Sequence, residues 1–501
     1  MSYGVICRRI YLPFTTTLDP AHRQFRSLEE WLLSREASGA GLGRVELGVE
    51  AQGRELLRLL LQAHVQERGS GDVGPAIELG SPEGGHRRVL PRRKGLRSLR
   101  LLTLFGGIRV ERLRYAGRQG VSFYPLDEQL QLPARTYSYA VQSRLVKRAV
   151  QGPFEEAIDG LRETTGVSIP KRSAQQILVD ASRDVDAFYA QRAGIDPRTA
   201  GPILVASIDC KGIPMVRPGP APRVVRRGKG EKPNKKRMAT VAAVFTMKPR
   251  VRTPLQVVES LFNPETRTHP RKAGEGPQNK RVWASLLAGK DAFVEDVKAE
   301  VGRRDPRRRK TWVVVADGER ALQIRMAHAL PGAVIVLDLI HALEKMWSVA
   351  YLFHPEGSPE AQAFVRERTL RILQGGVGQV VKGLRQMATK RGLRGARRKT
   401  LLSVAAYLYH NRSRMRYHVY LARGLPIGSG SVEGACKNLI KDRMERSGMR
   451  WSEEGAEAMV KMRAVYLSRD FDQYWSYHVV QEQRRLYPKG VWRPFRSCAK
   501  K

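Results

Sequence analysis

Cysteine is scarce in this chain. Four residues in 501, Cys7, Cys210, Cys436 and Cys498, stand far apart without a C-x-x-C pair. That spacing argues for neither a disulfide framework nor a zinc ribbon. Long apolar runs are missing too: none reaches the roughly 18 residues that a membrane span needs. The first residues, MSYGVICRRIYLPF, lack the basic-then-apolar pattern of an export signal. Acid is the third shortage, since 48 Asp+Glu against 89 Lys+Arg leave a formal charge of +41. Together these absences predict a reduced, cytoplasmic chain with no membrane partner, attracted to polyanions.

The cations are spread in clusters, HRRVLPRRKGLRSLR (86–100), RVVRRGKGEKPNKKR (223–237), RRDPRRRK (303–310) and RGLRGARRK (391–399). Several surfaces that track an extended phosphate backbone account for that spread better than one tail does. Hydrophobic residues at 42% are enough for large buried cores, and the length is consistent with about three domains.

Residues 1–85 read as a mostly helical region ending in a Gly/Pro linker, with Leu56, Leu57, Leu60 and Leu61 forming a helical stripe. Residues 86–136 alternate apolar and polar side chains around Gly106-Gly107, which predicts a basic β-hairpin module without zinc ligands. Residues 137–195 read as three helices. The last opens with Lys171, Arg172, Ser173, Gln175 and Gln176, the polar head that a helix-turn-helix lays on DNA, although an ordinary helical hairpin with a solvated face fits the pattern as well.

From residue 200 the period changes. GPILVASID, KRMATVAAVFTM, TWVVVAD and GAVIVLD read as buried strands, and 279–301 reads as an amphipathic helix. Helices then fill about 340–422. This order predicts an α/β fold, a mixed sheet with helices on both faces.

Three of those strands end in acid, at Asp209, Asp317 and Asp338. Strand ends are where α/β sheets expose chemistry, yet Asp317-Gly318 also fits a simple turn and Asp209 a solvated strand end. In IGSGSVEGACKNLIKDRMERSGMRW (427–451), Glu433 stands at the rim of an apolar stripe of Val432, Ala435, Cys436 and Leu439. Lys437 and Lys441 follow one and two turns on. Alone, such an acid fits a helix dipole. Asp209, Asp317 and Glu433 together offer three hard oxygen donors, the set that selects Mg²⁺ or Mn²⁺.

VVVADGERALQ, VIVLDLIHALEKMW and the 427–451 block resemble, in order, three blocks of the DDE transposases of bacterial insertion sequences. The nearest likeness is to the ISKra-type family, related to Mutator-like and ISL-type transposases. The resemblance spans about 99–477. It implies an RNase H-like (retroviral integrase-like) core in two parts, 200–344 and 426–480, with a helical insertion at 345–425 and a basic tail at 481–501. It implies catalytic and metal-holding roles for Asp209, Asp317 and Glu433, with two Mg²⁺ or Mn²⁺ ions about 4 Å apart and no zinc, since the C-x-x-C pair that relatives often carry in the hairpin region is missing. Asp338 rivals Asp317 as the second acid. With His341 at Asp-x-x-His spacing, it is assigned a structural or auxiliary role.

The expected function is binding of transposon terminal repeats followed by metal-dependent strand cleavage and transfer, with the nucleoid as the place of work. The expected partner is double-stranded DNA, and a homodimer or larger assembly forms on it. DNA contacts are expected from Lys171, Arg172, Gln175, Gln176, Arg226, Arg227, Lys229, Lys235, Lys236, Arg237, Lys437, Lys441 and Arg443. The alternatives are an RNA-guided or structure-specific RNase H-like nuclease and a DNA-binding protein without catalysis.

Overall fold

The continuous apolar runs become the centre of a mixed α/β fold in the computed structural model, which describes residues 17–80, 87–117, 120–192, 200–216, 236–263, 276–428 and 430–495. The chain divides into two units, residues 1–184 with 472–501 and residues 185–471. Each holds a five-stranded sheet.

In the first unit, β1 (Ala76–Leu79), β2 (Arg88–Thr103), β3 (Gly106–Ala116) and β4 (Ser122–Phe123) form an antiparallel series. The β2–β3 hairpin turns through Leu104-Phe105, with Gly106 at φ 121°, a conformation open to glycine. Leu101, Ile108 and Val110 pack with Val65, Leu126 and Leu132 as the core of this module. Five helices follow, the short Pro125–Gln129 and then Tyr139–Ala149, Phe154–Thr165, Lys171–Ser182 and Val185–Gln191, the last opening the second unit. Gly166 closes the third of them in the left-handed conformation, φ 68°.

Three sequence expectations change here. The 69–85 linker carries β1. The 481–501 tail is structured over its described part, because the helix Phe471–Leu486 leads to β10 (Trp492–Pro494), which pairs with β1. The third helix of 137–195 is two helices, broken at Arg183-Asp184, where the Asp184 carboxylate turns to His478 (2.7 Å) and Arg485 (2.7 and 2.8 Å).

The second unit contains β5 (Ile203–Pro214), β6 (Lys236–Met247), β7 (Gln278–Ser285), β8 (Thr311–Ala316) and β9 (Val334–Leu337), in the order β7-β6-β5-β8-β9. β5, β6 and β7 are antiparallel, while β8 and β9 run parallel to β5. Parallel strands need both faces covered, and the helices between Leu339 and Ala422 cover one of them: Val205, Val313, Val315 and Val336 share a core with Met346, Val365, Leu384, Leu401 and Leu408. At roughly 1.5–3 kcal/mol for each such side chain buried, this contact ties the helical segment firmly to the sheet.

The expected helix over 279–301 is a correction. It is strand β7 followed by the helix Lys290–Arg304. Arg281, Val282, Trp283 and Ala284 are all buried in succession, so neither the strand period nor the helix period is visible. The edge strand is covered: Ser468 Oγ accepts from Val282 N and donates to Val282 O, and Glu457 accepts from Ser285 Oγ and Leu286 N. These bonds occupy backbone groups that would otherwise template aggregation.

Candidate active site

Strand register lines up the acids. Ile208 pairs with Ala316 across β5 and β8, and Ala316 with Leu337 across β8 and β9. Asp209, Asp317 and Asp338 are therefore the next residues on three successive strands, with a strand spacing of about 4.8 Å. Asp317 is the neighbour of Asp209, and Asp338 lies one strand further out.

Their surroundings differ. Asp209 is half-buried. Its Oδ1 accepts from Cys210 N at 2.6 Å and its Oδ2 from the Cys436 thiol at 3.2 Å. Burial first, and then the Asp209 charge, push the Cys436 thiol up, so it stays protonated and donates. Asp317 accepts from Glu319 N at 3.0 Å. Burial raises its carboxyl above the usual range, and the Asp209 charge adds to the rise against the relief from Glu319 N–H and His341. The following Gly318 is required, because a Cβ there would run into the Tyr407 ring. That ring comes from the helix Gly395–Asn411, and burial followed by the charges of Asp317, Asp338 and Glu344 pushes its hydroxyl up to about 12.

Asp338 is fully buried. It caps the helix Leu339–Ala350 by accepting from Ile340 N at 2.9 Å and holds His341 Nδ1 at 3.0 Å. The bond to Asp338 is the main reason why His341 is raised to about 9, with the charges of Asp338, Glu344 and Asp317 adding to it against burial.

Glu433 lies on the short helix Gly430–Ala435, with its side chain exposed. The expected strand end at Asp209 is a correction: β5 continues to Pro214 by pairing with β6, and Asp209 stands where the β8 pairing stops. The thiol that touches Asp209 belongs to Cys436, three residues on from Glu433, so the Glu433 segment crosses β5 at Asp209. After Ala435 the coil widens into a π-helix, Cys436–Lys441. Val432, Cys436, Ile440 and Met444 are buried at steps of four, as are Ala435, Leu439 and Arg443. An ordinary helix would rotate that face by about 40° at each step, and the wider turn takes up part of the drift. Lys437 and Lys441 are exposed, but the regular one-turn alignment with Glu433 is lost. Arg443 is a correction among the expected DNA contacts: it is fully buried beneath Trp451, 5.0 Å from the ring centroid, with Nη1 3.3 Å from Met449 Sδ.

Among the described residues, none of Asp209, Asp317 and Glu433 is in an ion pair, and no group of three or more His, Cys, Asp or Glu side chains is arranged to hold a metal ion. The structure thus brings Asp209 and Asp317 together and leaves the Glu433 carboxylate outside a closed ligand set. Two adjacent unpaired carboxylates, one of them raised by burial and by its neighbour, fit a divalent cation as hard oxygen donors.

The remaining expected contacts fall into three groups. Lys171, Arg172, Gln175 and Gln176 are exposed at the head of the helix Lys171–Ser182, with Lys171 paired to Glu155. Lys236 and Arg237 pair with Glu445 and Glu453. Arg226, Arg227, Lys229 and Lys235 lie outside the described residues. Sequence reasoning missed Cys436 and Tyr407 as neighbours of the acids. Cys436 had a visible signal in its three-residue spacing from Glu433, whereas Tyr407 meets Gly318 only through the fold. Among the described residues no helix is long and apolar enough to cross a membrane. No protein-family model matches this chain, and no curated protein matches it.

Proposed function

We propose that the chain is a DNA transposase of the DDE type, with an RNase H-like core that binds transposon terminal repeats and catalyses strand cleavage and strand transfer. One observation carries the reading: in a chain of charge +41, two acids side by side on neighbouring strands are in no ion pair among the described residues, and the segment bearing a third acid lies across one of them. The strand order β7-β6-β5-β8-β9, three antiparallel strands followed by two parallel ones, supports the RNase H-like assignment, as does an acid on the first strand and another after the fourth.

In this reading Asp209, Asp317 and Glu433 hold Mg²⁺ or Mn²⁺. Such ions supply Lewis-acid activation for in-line phosphodiester chemistry. The Asp338–His341 pair fixes the start of the helix Leu339–Ala350 and sets a positive charge near Asp317. Lys437 and Lys441, exposed on the Glu433 segment, hold phosphates, and the head of Lys171–Ser182 contacts transposon ends with Lys171, Arg172, Gln175 and Gln176. A homodimer or larger assembly joins two DNA ends.

The exposed position of Glu433 favours a second reading, a DNA-binding protein without catalysis. A nicking assay on end-containing DNA with Mg²⁺ or Mn²⁺ separates the two. Glu433→Gln is expected to abolish cleavage and retain binding, while Lys437→Ala with Lys441→Ala lowers the slope of log affinity against log salt by about 0.9 per lost phosphate contact. Cleavage by Glu433→Gln at the wild-type rate overturns its metal-holding role, and an intact chain without cleavage establishes the binding-only reading.

A further inference from the structure

Residues 185–471 hold a second site, a partly open cavity of about 540 Å³ on the β7 edge of their sheet. That volume is within the range of small-molecule sites, roughly 300–1,000 Å³. None of the acids discussed above lines it. Its walls carry six cations, Arg192, Lys280, Arg281, Arg303, Arg304 and Arg469, against two carboxylates, Glu300 and Asp470.

Both carboxylates are already engaged. Glu300 accepts from Arg281 (2.5 Å), Arg303 (2.7 Å) and Arg304 (2.6 Å), and Asp470 accepts from Arg192 (2.6 Å) and the Tyr189 hydroxyl (2.9 Å). The Arg281 guanidinium is wedged between the Tyr189 and Trp283 rings, 3.6 and 4.4 Å from their centroids. Arg281 and Arg304 are each only 8% exposed. Burial lowers the Arg304 guanidinium from its usual range, and the nearby charges of Arg281 and Arg192 lower it further against the pull of Glu300. The buried Arg281 and Arg304 share Glu300, while Arg469 is exposed at the rim and is in no ion pair among the described residues, a cation open to an anionic ligand.

The backbone adds a separate observation. Only four non-glycine residues among those described have positive φ, and two of them line this cavity, Asn279 (φ 52°) and Arg469 (φ 64°). Arg469 takes this conformation as the residue after the C-cap of the helix Glu453–Leu467, held by Arg469 N to Tyr466 O (3.0 Å) and Asp470 N to Val465 O (3.1 Å), which fixes its place at the cavity. Here the constrained residue is itself one of the cations.

We infer that this cavity binds the phosphoryl group of a ligand no larger than a nucleotide. Guanidinium forks match phosphate oxygens in bidentate geometry, and the exposed Arg192 and Arg469 leave the cavity open to a ligand from solvent. The ligand comes from one of two sources, a free pyrophosphate-bearing small molecule or the phosphorylated end of a single strand. The inference is independent of the transposase reading, since it uses none of Asp209, Asp317 and Glu433.

The test is calorimetric titration of the full chain with inorganic pyrophosphate, compared with Lys280→Gln/Arg469→Gly, which removes two cavity charges, leaves the Glu300 contacts in place and suits the left-handed turn. Arg394→Gln/Arg397→Gln, which removes two exposed charges elsewhere, controls for general attraction to a basic protein. Pyrophosphate binding is expected to weaken at least tenfold in the cavity variant and to stay within twofold in the control. Lys280→Gln alone provides the same comparison should the double variant not fold, with a loss of at least threefold expected. Equal affinity in cavity and control variants, or no binding of pyrophosphate by the wild type, overturns the inference. A 5′-phosphorylated single strand that outcompetes its unphosphorylated counterpart on the wild type, and not on the cavity variant, identifies the strand end as the source. Equal competition by the two strands identifies the free ligand.

Discussion

Asp317 and Asp338 follow the same sequence pattern, a short apolar strand ending in one acid, and they sit on adjacent parallel strands at the same level. Their situations are opposite. Asp338 is sealed from solvent, caps a helix and holds a histidine. Asp317 is half-buried, raised by its surroundings, free of ion pairs among the described residues and one strand from Asp209. What separates a structural acid from a candidate functional one is therefore whether the fold bonds a cation to it or only sets one nearby. In the proposed reading, Asp317 is the acid that waits for an external cation, and Asp338 already has its charge partner.

The comparison breaks most visibly through stability. Asp338→Ala is expected to cost about 2–4 kcal/mol, from a lost helix cap and an unmet His341 charge, read as a shift of the denaturation midpoint. Gly318→Ala is expected to cost about 1–3 kcal/mol because its Cβ would displace Tyr407. Combining it with Tyr407→Ala should give less than the sum of the two single losses, and strict additivity would deny the contact.

The Asp338–His341 pair also carries a pH signature. His341 is raised from 6.5 to about 9 in the folded state, so its stabilisation is complete below about pH 6.5 and disappears as pH climbs through 9. With the His341 side chain 32% exposed to solvent, the effect should be on the order of 1 kcal/mol, seen as a fall in wild-type melting temperature between pH 6.5 and 9.5 that His341→Gln lacks. Asp317→Asn should have the smallest effect and the opposite sign. Because the folded state disfavours its charge, neutralising Asp317 should leave stability at neutral pH unchanged or raise it by up to about 1 kcal/mol.

Much of this was legible in the sequence. The apolar runs at 203–209, 236–247, 311–316 and 334–337 became strands because central strands of a covered sheet need no polar alternation. The same absence of alternation hid β7, where Arg281 is buried by aromatic stacking and an ion pair that no local pattern reveals. β1 and β10 were hidden because short strands at opposite ends of a chain are stabilised by each other. At the candidate site, the acids after β8 and β9 could be read as strand ends, Asp209 could not because β5 runs on to Pro214 beside β6, and neither could the choice between Asp317 and Asp338. It depends on strand order and on an i+3 histidine whose geometry only the folded helix start defines. The fate of Arg443 was legible in the spacing and hidden by its charge: it follows Leu439 by four residues and Cys436 by seven, on the buried stripe, and only its guanidinium suggested a place facing solvent.

The most direct measurement is Mn²⁺ titration of the wild type, Asp317→Asn and Asp338→Asn, each shown to be folded, by calorimetry without DNA. If Asp209 and Asp317 form the cation site, Asp317→Asn should lose Mn²⁺ binding by at least tenfold while Asp338→Asn retains it within about threefold, the lower end of effects on metal affinity from outer positions being near tenfold. Undiminished Mn²⁺ binding by Asp317→Asn, or a greater loss in Asp338→Asn, would contradict the assignment.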